Sequence, residues 1–215
     1  MTVLPEIKPT WRGWIHAGTF PLAVALGVVL VTLAAGAPAK AATAIYFGSS
    51  LLLFGVSATY HRGNWRPKAK LLLKRMDHSN IFLLIAGTYT PIAVLALPRG
   101  EATTLLILVW SGALAGIAFR VFWTGAPRWL YTPLYVLLGV GALIYVGDIF
   151  EANAATMILV LAGGVFYIAG AVVYGTKRPN IVPGVFGFHE LFHAFTVVAF
   201  CCQWTAVLLL AVQTR

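Results

Sequence analysis

Residues 186–212 read FGFHELFHAFTVVAFCCQWTAVLLLAV, and this stretch decides the fold class of the chain. A helix needs about 20 largely apolar residues to cross the hydrocarbon core of a bilayer. Among Asp, Glu, Lys and Arg, the stretch contains only Glu190. It therefore predicts a membrane-spanning helix. His189, Glu190 and His193, near its start, are polar residues of the kind that membrane segments usually carry for a function.

The rest of the 215-residue chain follows the same pattern. Hydrophobic residues make up 60% of it and charged residues only 10%, with a mean hydropathy of +0.87. Soluble domains average about 25% charged residues, so a soluble globular domain is excluded. The apolar runs predict an all-α integral membrane protein, a single seven-helix domain over residues 1–215. The spans are expected at about 14–35, 41–61, 77–97, 103–123, 130–148, 155–175 and 186–212.

The net charge of the chain is +9, and its basic residues lie mainly in the loops on one side of the predicted spans instead of forming a patch on a folded domain. The basic residues on the N-terminal side of the seven spans are Lys8, Arg12, Arg62, Arg66, Lys68, Lys70, Lys74, Arg75, Arg120, Arg128, Lys177 and Arg178, and those on the other side are Lys40, Arg99 and Arg215. Because Lys and Arg accumulate in cytoplasmic loops, this asymmetry predicts a multi-pass protein of the cell (inner or plasma) membrane, with its N-terminus cytoplasmic and its C-terminus outside. No loop is long enough for a nucleic-acid reader, so membrane lipids are the expected partners, and not nucleic acid.

Residues 62–75 form the longest predicted connection and concentrate six positive charges around three leucines. Such a segment is typical of a turn of helix lying on the anionic inner surface of the membrane and leading into the third span. Pro67 suits the first turn of that helix. A solvated inner loop is the alternative interpretation.

His189 and His193 are four residues apart, so on a helix they lie on one face, about 40° apart and one turn above each other. This is a metal-chelating spacing. With Glu190 the pair also satisfies the H-E-x-x-H pattern of zinc proteases, which is short enough to arise by chance.

Further polar residues flank the second and third spans. His61 ends the second span, Ser57 lies one turn earlier on the same face, and Asp77 opens the third span. The topology deduced from loop charges places all of them in the same leaflet as the histidine pair. Three neutral imidazoles with an open fourth position suit a catalytic Zn²⁺, so His61, His189 and His193 are the predicted ligands. Asp77 is the predicted catalytic base, or it orients a water from outside the ligand shell.

Other polar residues have simpler interpretations. His16 and His78, near span ends, are expected to form interfacial or interhelical hydrogen bonds. Ser57 either bonds a carbonyl one turn back or acts as a catalytic residue near the metal and the substrate oxyanion. Glu190 lies about 100° around the helix from His189 and is expected to face the basic loops more than to act as a base.

Four segments of the chain resemble the hemolysin III family, which is related to the adiponectin and progestin receptors and more distantly to the alkaline ceramidases. They are Ser57-x3-His61, Asp77-His78-Ser79-x-Ile81-Phe82 continuing into Ile85-Ala86-Gly87-Thr88-Tyr89-Thr90-Pro91, Gly163-Gly164-x2-Tyr167-x2-Gly170, and Gly187-Phe188-His189-Glu190-Leu191-Phe192-His193. The resemblance covers about residues 10–212.

This resemblance implies a seven-helix fold with a zinc ion near the cytoplasmic face. The ion would be held by the histidines that match His61, His189 and His193, with a water linked to the aspartate that matches Asp77. The serine that matches Ser57 would lie near the metal. The related ceramidases hydrolyse lipid amides, and the family name implies cytolysis.

Three functions follow as hypotheses. The first is a zinc-dependent, ceramidase-like hydrolase that cleaves an amide or ester of a lipid substrate at the cytoplasmic leaflet. The second is a non-enzymatic membrane sensor or homeostasis protein, in which structural zinc ties the second helix to the seventh. The third is a cytolytic pore-former, which is hard to reconcile with seven membrane spans.

Overall fold

The computed structural model describes residues 8–213, so the ends of the predicted domain, with Arg215 of the charge count, lie outside the described residues. The regular elements in residues 8–213 are helices. The α-helices are α1 Trp14–Leu33, α2 Gly36–Arg62, α3 Pro67–Ala96, α4 Arg99–Phe122, α5 Arg128–Gly139, α6 Val146–Ala152, α7 Ala154–Thr176 and α8 Phe188–Gln213. A 3-10 helix, Val140–Tyr145, joins α5 to α6.

The predicted all-α membrane fold is confirmed. Within residues 8–213, seven helical segments are long and apolar enough to cross a membrane, and α5, the 3-10 helix and α6 together form the fifth of them, Arg128–Ala152. Successive spans run in opposite directions. Residues 8–13 and the connections 63–66, 123–127 and 177–187 therefore share one end of the bundle, which we call the basic end.

The third helix begins at Pro67, well before the predicted span start at residue 77. Proline at the first helical position costs the helix no hydrogen bond, because the N–H of a residue at this position has no acceptor within the helix. The helical interpretation of residues 62–75 is therefore correct, and only residues 63–66 form a loop. Leu71 and Leu72 in this first part of α3 are 44% and 58% exposed, and the location of this turn on the membrane surface stays a prediction.

The fifth span is interrupted where a continuous helix was expected. Residues 140–145 take the 3-10 form, and irregular backbone at membrane depth needs partners from neighbouring helices. The Tyr89 hydroxyl on α3 donates a hydrogen bond to the carbonyl oxygen of Gly139 at 2.6 Å. The interruption is thereby stabilised from within the bundle.

The most buried of the seven spans is α3, which contacts α2, α4, α5, α6 and α8. Small residues permit this close packing: a Cβ at Gly87 would overlap the Ser49 hydroxyl, and one at Gly116 would overlap the Phe82 ring. The central position of α3 places Asp77, in its third turn, beside the basic ends of α2 and α8.

Alkaline phosphatase fusions test the predicted orientation, because this reporter is active only outside the cytoplasm. We expect high activity after Gln213 and after Leu97, and low activity after Gly125, since the excess of Lys and Arg retains the basic end in the cytoplasm. Protein levels of each fusion serve as the control. The opposite pattern would place the basic end outside.

Candidate metal centre

Three histidines from α2 and α8, two helices far apart in the sequence, converge at the basic end of the bundle. His61 lies in the last turn of α2, whereas His189 and His193 lie in the first two turns of α8. One ring nitrogen from each lies within 4.8 Å of the others, and Nε2 of His61 is 3.2 Å from Nε2 of His189. His61 and His193 are buried and His189 is half-buried. Three imidazoles converging in this way could hold a metal ion.

The start of α8 sets the position of two of these rings. The Glu190 carboxylate accepts a hydrogen bond from the backbone N–H of Gly187 at 2.9 Å, which is the reach-back bond of a helix N-terminus. The Asn180 side-chain oxygen accepts a second bond from the N–H of Phe188 at 3.1 Å. With the first turn held in this way, His189 and His193 project from one face with ring centroids 4.6 Å apart.

Glu190 faces away from the histidines, towards a basic residue. It is 1% exposed and pairs with Arg12, whose Nε lies 2.5 Å from Oε1. The expected orientation towards the basic segments is therefore observed. Because both carboxylate oxygens are occupied by Arg12 and Gly187, the H-E-x-x-H pattern here serves helix placement, and Glu190 is not positioned as a protease base.

Asp77 is the carboxylate at the triad. Its Oδ2 lies 3.7 Å from Nε2 of His61 and 3.9 Å from Nδ1 of His78. Ser57 is 3% exposed, lies beside Asp77 and lines the same cavity as the histidines. The residues predicted as catalytic and those predicted as metal ligands are thus brought together.

The two remaining histidines differ in their surroundings. His78 forms the expected hydrogen bonds, with Nδ1 2.8 Å from the Lys74 carbonyl and Nε2 3.4 Å from the Tyr174 hydroxyl. The expectation for His16 is wrong within the described residues, where both of its ring nitrogens are buried without a hydrogen-bond partner. Its ring stacks on His193 instead, with centroids 3.8 Å apart and planes 5° apart. His16 thus packs directly against the triad.

Sequence reasoning missed His16 as a site residue and also missed Arg120. His16 is one turn into α1 from the basic end, so the alternation of spans that located the other histidines could have located it. Arg120 was counted among the loop charges, but it lies inside α4 and is 1% exposed. The signal for it was a lone charged residue within the predicted span 103–123.

A cavity of about 780 Å³ opens at the basic end and contains the triad in its wall. At the basic end the lining includes six cations, Lys8, Arg12, Lys70, Lys74, Arg128 and Lys177, and Asp77 is the single carboxylate among the lining residues in the described chain. Beyond the triad the lining becomes largely apolar, with Ile81, Leu84, Ile85, Ile92 and Val160. The site therefore lies where a basic entrance meets an apolar interior.

Seven apolar spans and a convergent histidine triad define the class: a multi-pass membrane protein with a candidate metal centre at one end of an internal cavity. More specifically, the chain belongs to the haemolysin-III-related family, which matches residues 6–204. This confirms the resemblance found in the sequence segments.

Two Bacillus proteins align with most of the chain, and a yeast protein aligns with a short part of it. The hemolysin-3 homolog of Bacillus subtilis (strain 168) is 33% identical over 168 residues, covering 78% of this chain and 76% of that protein. The hemolysin-3 of Bacillus cereus is 30% identical over 179 residues, covering 83% and 78%. The ADIPOR-like receptor IZH2 of Saccharomyces cerevisiae is 46% identical over only 54 residues, covering 23% and 17%. The likeness to an adiponectin-receptor-like protein is thus local.

The triad predicts that metal content depends on each of its histidines. We expect about one divalent ion per chain in protein purified without chelators, and loss of most of it in His61→Ala, His189→Ala and His193→Ala, because each variant removes one of three ligands. Metal analysis by mass spectrometry measures this. His78→Ala is the matched control and should retain the metal. Equal metal content in all variants would exclude the triad as the site.

Proposed function

We propose that this protein is a zinc-dependent hydrolase that cleaves an amide or ester bond of a lipid at the cytoplasmic leaflet. The observation that carries the proposal is the junction in the cavity, where the triad and Asp77 lie between a basic entrance and an apolar interior. That arrangement suits a substrate with a polar end and a hydrocarbon tail. The distant relation of the hemolysin III family to the alkaline ceramidases, which hydrolyse lipid amides, supports the same chemistry.

The histidine triad fits zinc. Tetrahedral zinc with bonds of about 2.0–2.1 Å to imidazole places the ligand nitrogens about 3.4 Å apart. The Nε2 atoms of His61 and His189 are 3.2 Å apart, and the ligand nitrogens of all three histidines lie within 4.8 Å of one another. Three imidazoles leave a fourth position open, as in catalytic sites. When bound, zinc polarises a carbonyl and makes water a nucleophile near neutral pH.

Asp77 would serve as the general base. Its Oδ2 lies near His61 on the cavity side of the triad, so it can take a proton from the attacking water and return it to the leaving group. No lysine or arginine within residues 8–213 forms an ion pair with it. The carboxylate is therefore not committed to a structural cation.

Ser57 would stabilise the developing negative charge. Its buried hydroxyl lines the cavity and donates a hydrogen bond to Asp77, and it would turn from that bond to the substrate carbonyl oxygen as charge accumulates there. The apolar residues deeper in the cavity would hold the acyl chain, and a volume of about 780 Å³ lies within the range of small-molecule sites.

Asp77→Asn tests the chemistry. We expect at least a roughly 100-fold loss of fatty-acid release from a panel of lipid amides and esters, because general-base catalysis contributes about that much. Zinc content and thermal stability should stay unchanged, since Asp77 is not a proposed ligand. Asp148→Asn, an aspartate on α6 outside the cavity lining, is the matched control and should keep full activity.

Three results would count against hydrolysis. One is no fatty-acid release by zinc-loaded wild-type protein, and another is equal release by wild type and Asp77→Asn. The third is a loss of thermal stability in Asp77→Asn that parallels loss of zinc. That last result would favour the non-enzymatic alternative, in which zinc only ties α2 to α8.

Cytolysis is the competing function, because the two Bacillus relatives carry the name hemolysin-3. We expect liposomes containing the purified protein to retain a trapped dye, since buried side chains such as Leu30, Val207 and Leu210 fill the bundle away from the basic end. Protein-free liposomes and liposomes with a known pore-former are the controls. Rapid dye release by this protein would favour a pore.

A further inference from the structure

Arg120 is a buried cation with no anionic partner within residues 8–213. It lies near the end of α4, is 1% exposed and lines the cavity. Its guanidinium lies 4.1 Å above the ring of Tyr131, Nη1 makes a long 3.4 Å bond to the Trp123 carbonyl, and Nε has no partner within residues 8–213. An unpaired charge inside a membrane protein is costly and generally marks a functional position.

A second unused donor lies on the neighbouring helix. Thr132 follows Tyr131 on α5, and its buried hydroxyl has no hydrogen-bond partner among the described residues. Thr88, another cavity threonine, donates to the carbonyl four residues earlier, which is the usual arrangement in a helix. Arg120 and Thr132 therefore offer an N–H and an O–H in the wall of one cavity.

The surroundings favour a negatively charged ligand for these donors. Lys70, Lys74 and Arg128 also line the cavity. Charge-assisted hydrogen bonds from a guanidinium to a phosphate or carboxylate oxygen are among the strongest available to a protein. An anionic oxygen group would neutralise Arg120, and the Thr132 hydroxyl is the neighbouring donor, because the Arg120 guanidinium lies over the ring of the preceding residue, Tyr131.

The anion is distinct from the group that would react at the triad. Tyr131 and Tyr174, whose hydroxyls are 3.1 Å apart, link the ring beneath Arg120 to His189, whose ring centroid is 5.9 Å from that of Tyr174. If the scissile carbonyl is at the triad, which rests on the proposed function, the group at Arg120 belongs to the headgroup of the same lipid. Phosphate is the common anionic group of lipid headgroups.

We infer that Arg120 and Thr132 form a subsite for the phosphate of a lipid headgroup, so that the cavity takes a single-chain phosphate-bearing lipid. The apolar lining beyond the triad accepts the chain of such a lipid. The basic mouth attracts its headgroup from the membrane surface.

The test compares two ether-linked single-chain lipids, one with a phosphate monoester headgroup and one with neutral glycerol, binding to the purified full-length protein in nonionic detergent. Ether lipids have no carbonyl to hydrolyse, so the result is independent of the hydrolase proposal. Wild type is expected to bind the phosphate lipid roughly tenfold or more tightly than the neutral lipid. Arg120→Gln should abolish this preference, and Thr132→Val should reduce it by roughly threefold.

Two matched variants control for charge and for packing. Arg75→Gln removes an arginine of the basic end that bonds Thr124 and lies outside the cavity lining. Thr88→Val removes a cavity hydroxyl that already bonds its own helix. Both should keep the wild-type preference for the phosphate lipid.

Equal binding of the two lipids by wild type overturns the subsite, and so does an unchanged preference in both Arg120→Gln and Thr132→Val. If Arg120→Gln fails to fold, Arg120→Met and Thr132→Val decide, because Met removes the charge and keeps an unbranched apolar side chain, and a wild-type preference in both variants would show that neither donor contacts the phosphate. The last measurement is competition by inorganic phosphate for the same binding site. If inorganic phosphate displaces the phosphate lipid and binds as tightly by itself, the ligand is a free anion and the lipid assignment is wrong.

Discussion

Polar groups at membrane depth have no water to bond, so each must find its partner within the protein. This constraint accounts for the helices, for the bond from Tyr89 that supports the interrupted fifth span, and for threonines that bond their own helix. The exceptions are informative. Among residues 8–213, six side chains have buried polar atoms without a partner: His16, Arg120, Thr132 and Gln203, which line the cavity, and Ser79 and Glu101, which do not. Four of the six unpartnered side chains in this part of the chain therefore belong to the cavity wall.

The ion pair between the partly exposed Arg12 and the buried Glu190 organises the metal centre without contributing a ligand. Glu190 orders the first turn of α8, while the backbone N–H groups of Thr10 and Trp11 bond the carbonyls of residues 184 and 185. Gly13 has φ of 81°, and a Cβ there would come within 2.8 Å of the Cβ of His61. Only glycine permits this approach without strain. One short segment therefore contacts both α8 and the end of α2, whose histidines are 128 residues apart in the chain.

Much of the fold and part of the site were predictable. Apolar runs located the seven spans, because each span must match the bilayer thickness. Alternation of those spans then brought His61, Asp77 and the α8 histidines to one end. Interior details escaped prediction: the 3-10 interruption depends on a partner from α3, and the burial of Arg120 depends on how α4 packs on its neighbours. Analysis of each helix by itself predicts neither the interruption nor the burial of Arg120, because both depend on contacts between helices.

The sequence by itself determined the membrane class, the number of spans and the end of the bundle at which the polar residues gather, because these follow from hydropathy, length and the direction of successive helices. Only the tertiary structure decided which polar residues meet. Rotation of each helix about its axis and its depth relative to its neighbours are set by side-chain packing, such as Gly87 against Ser49. Those rotations aim three histidines at one point, turn Glu190 away towards Arg12, and leave Arg120 in the cavity wall.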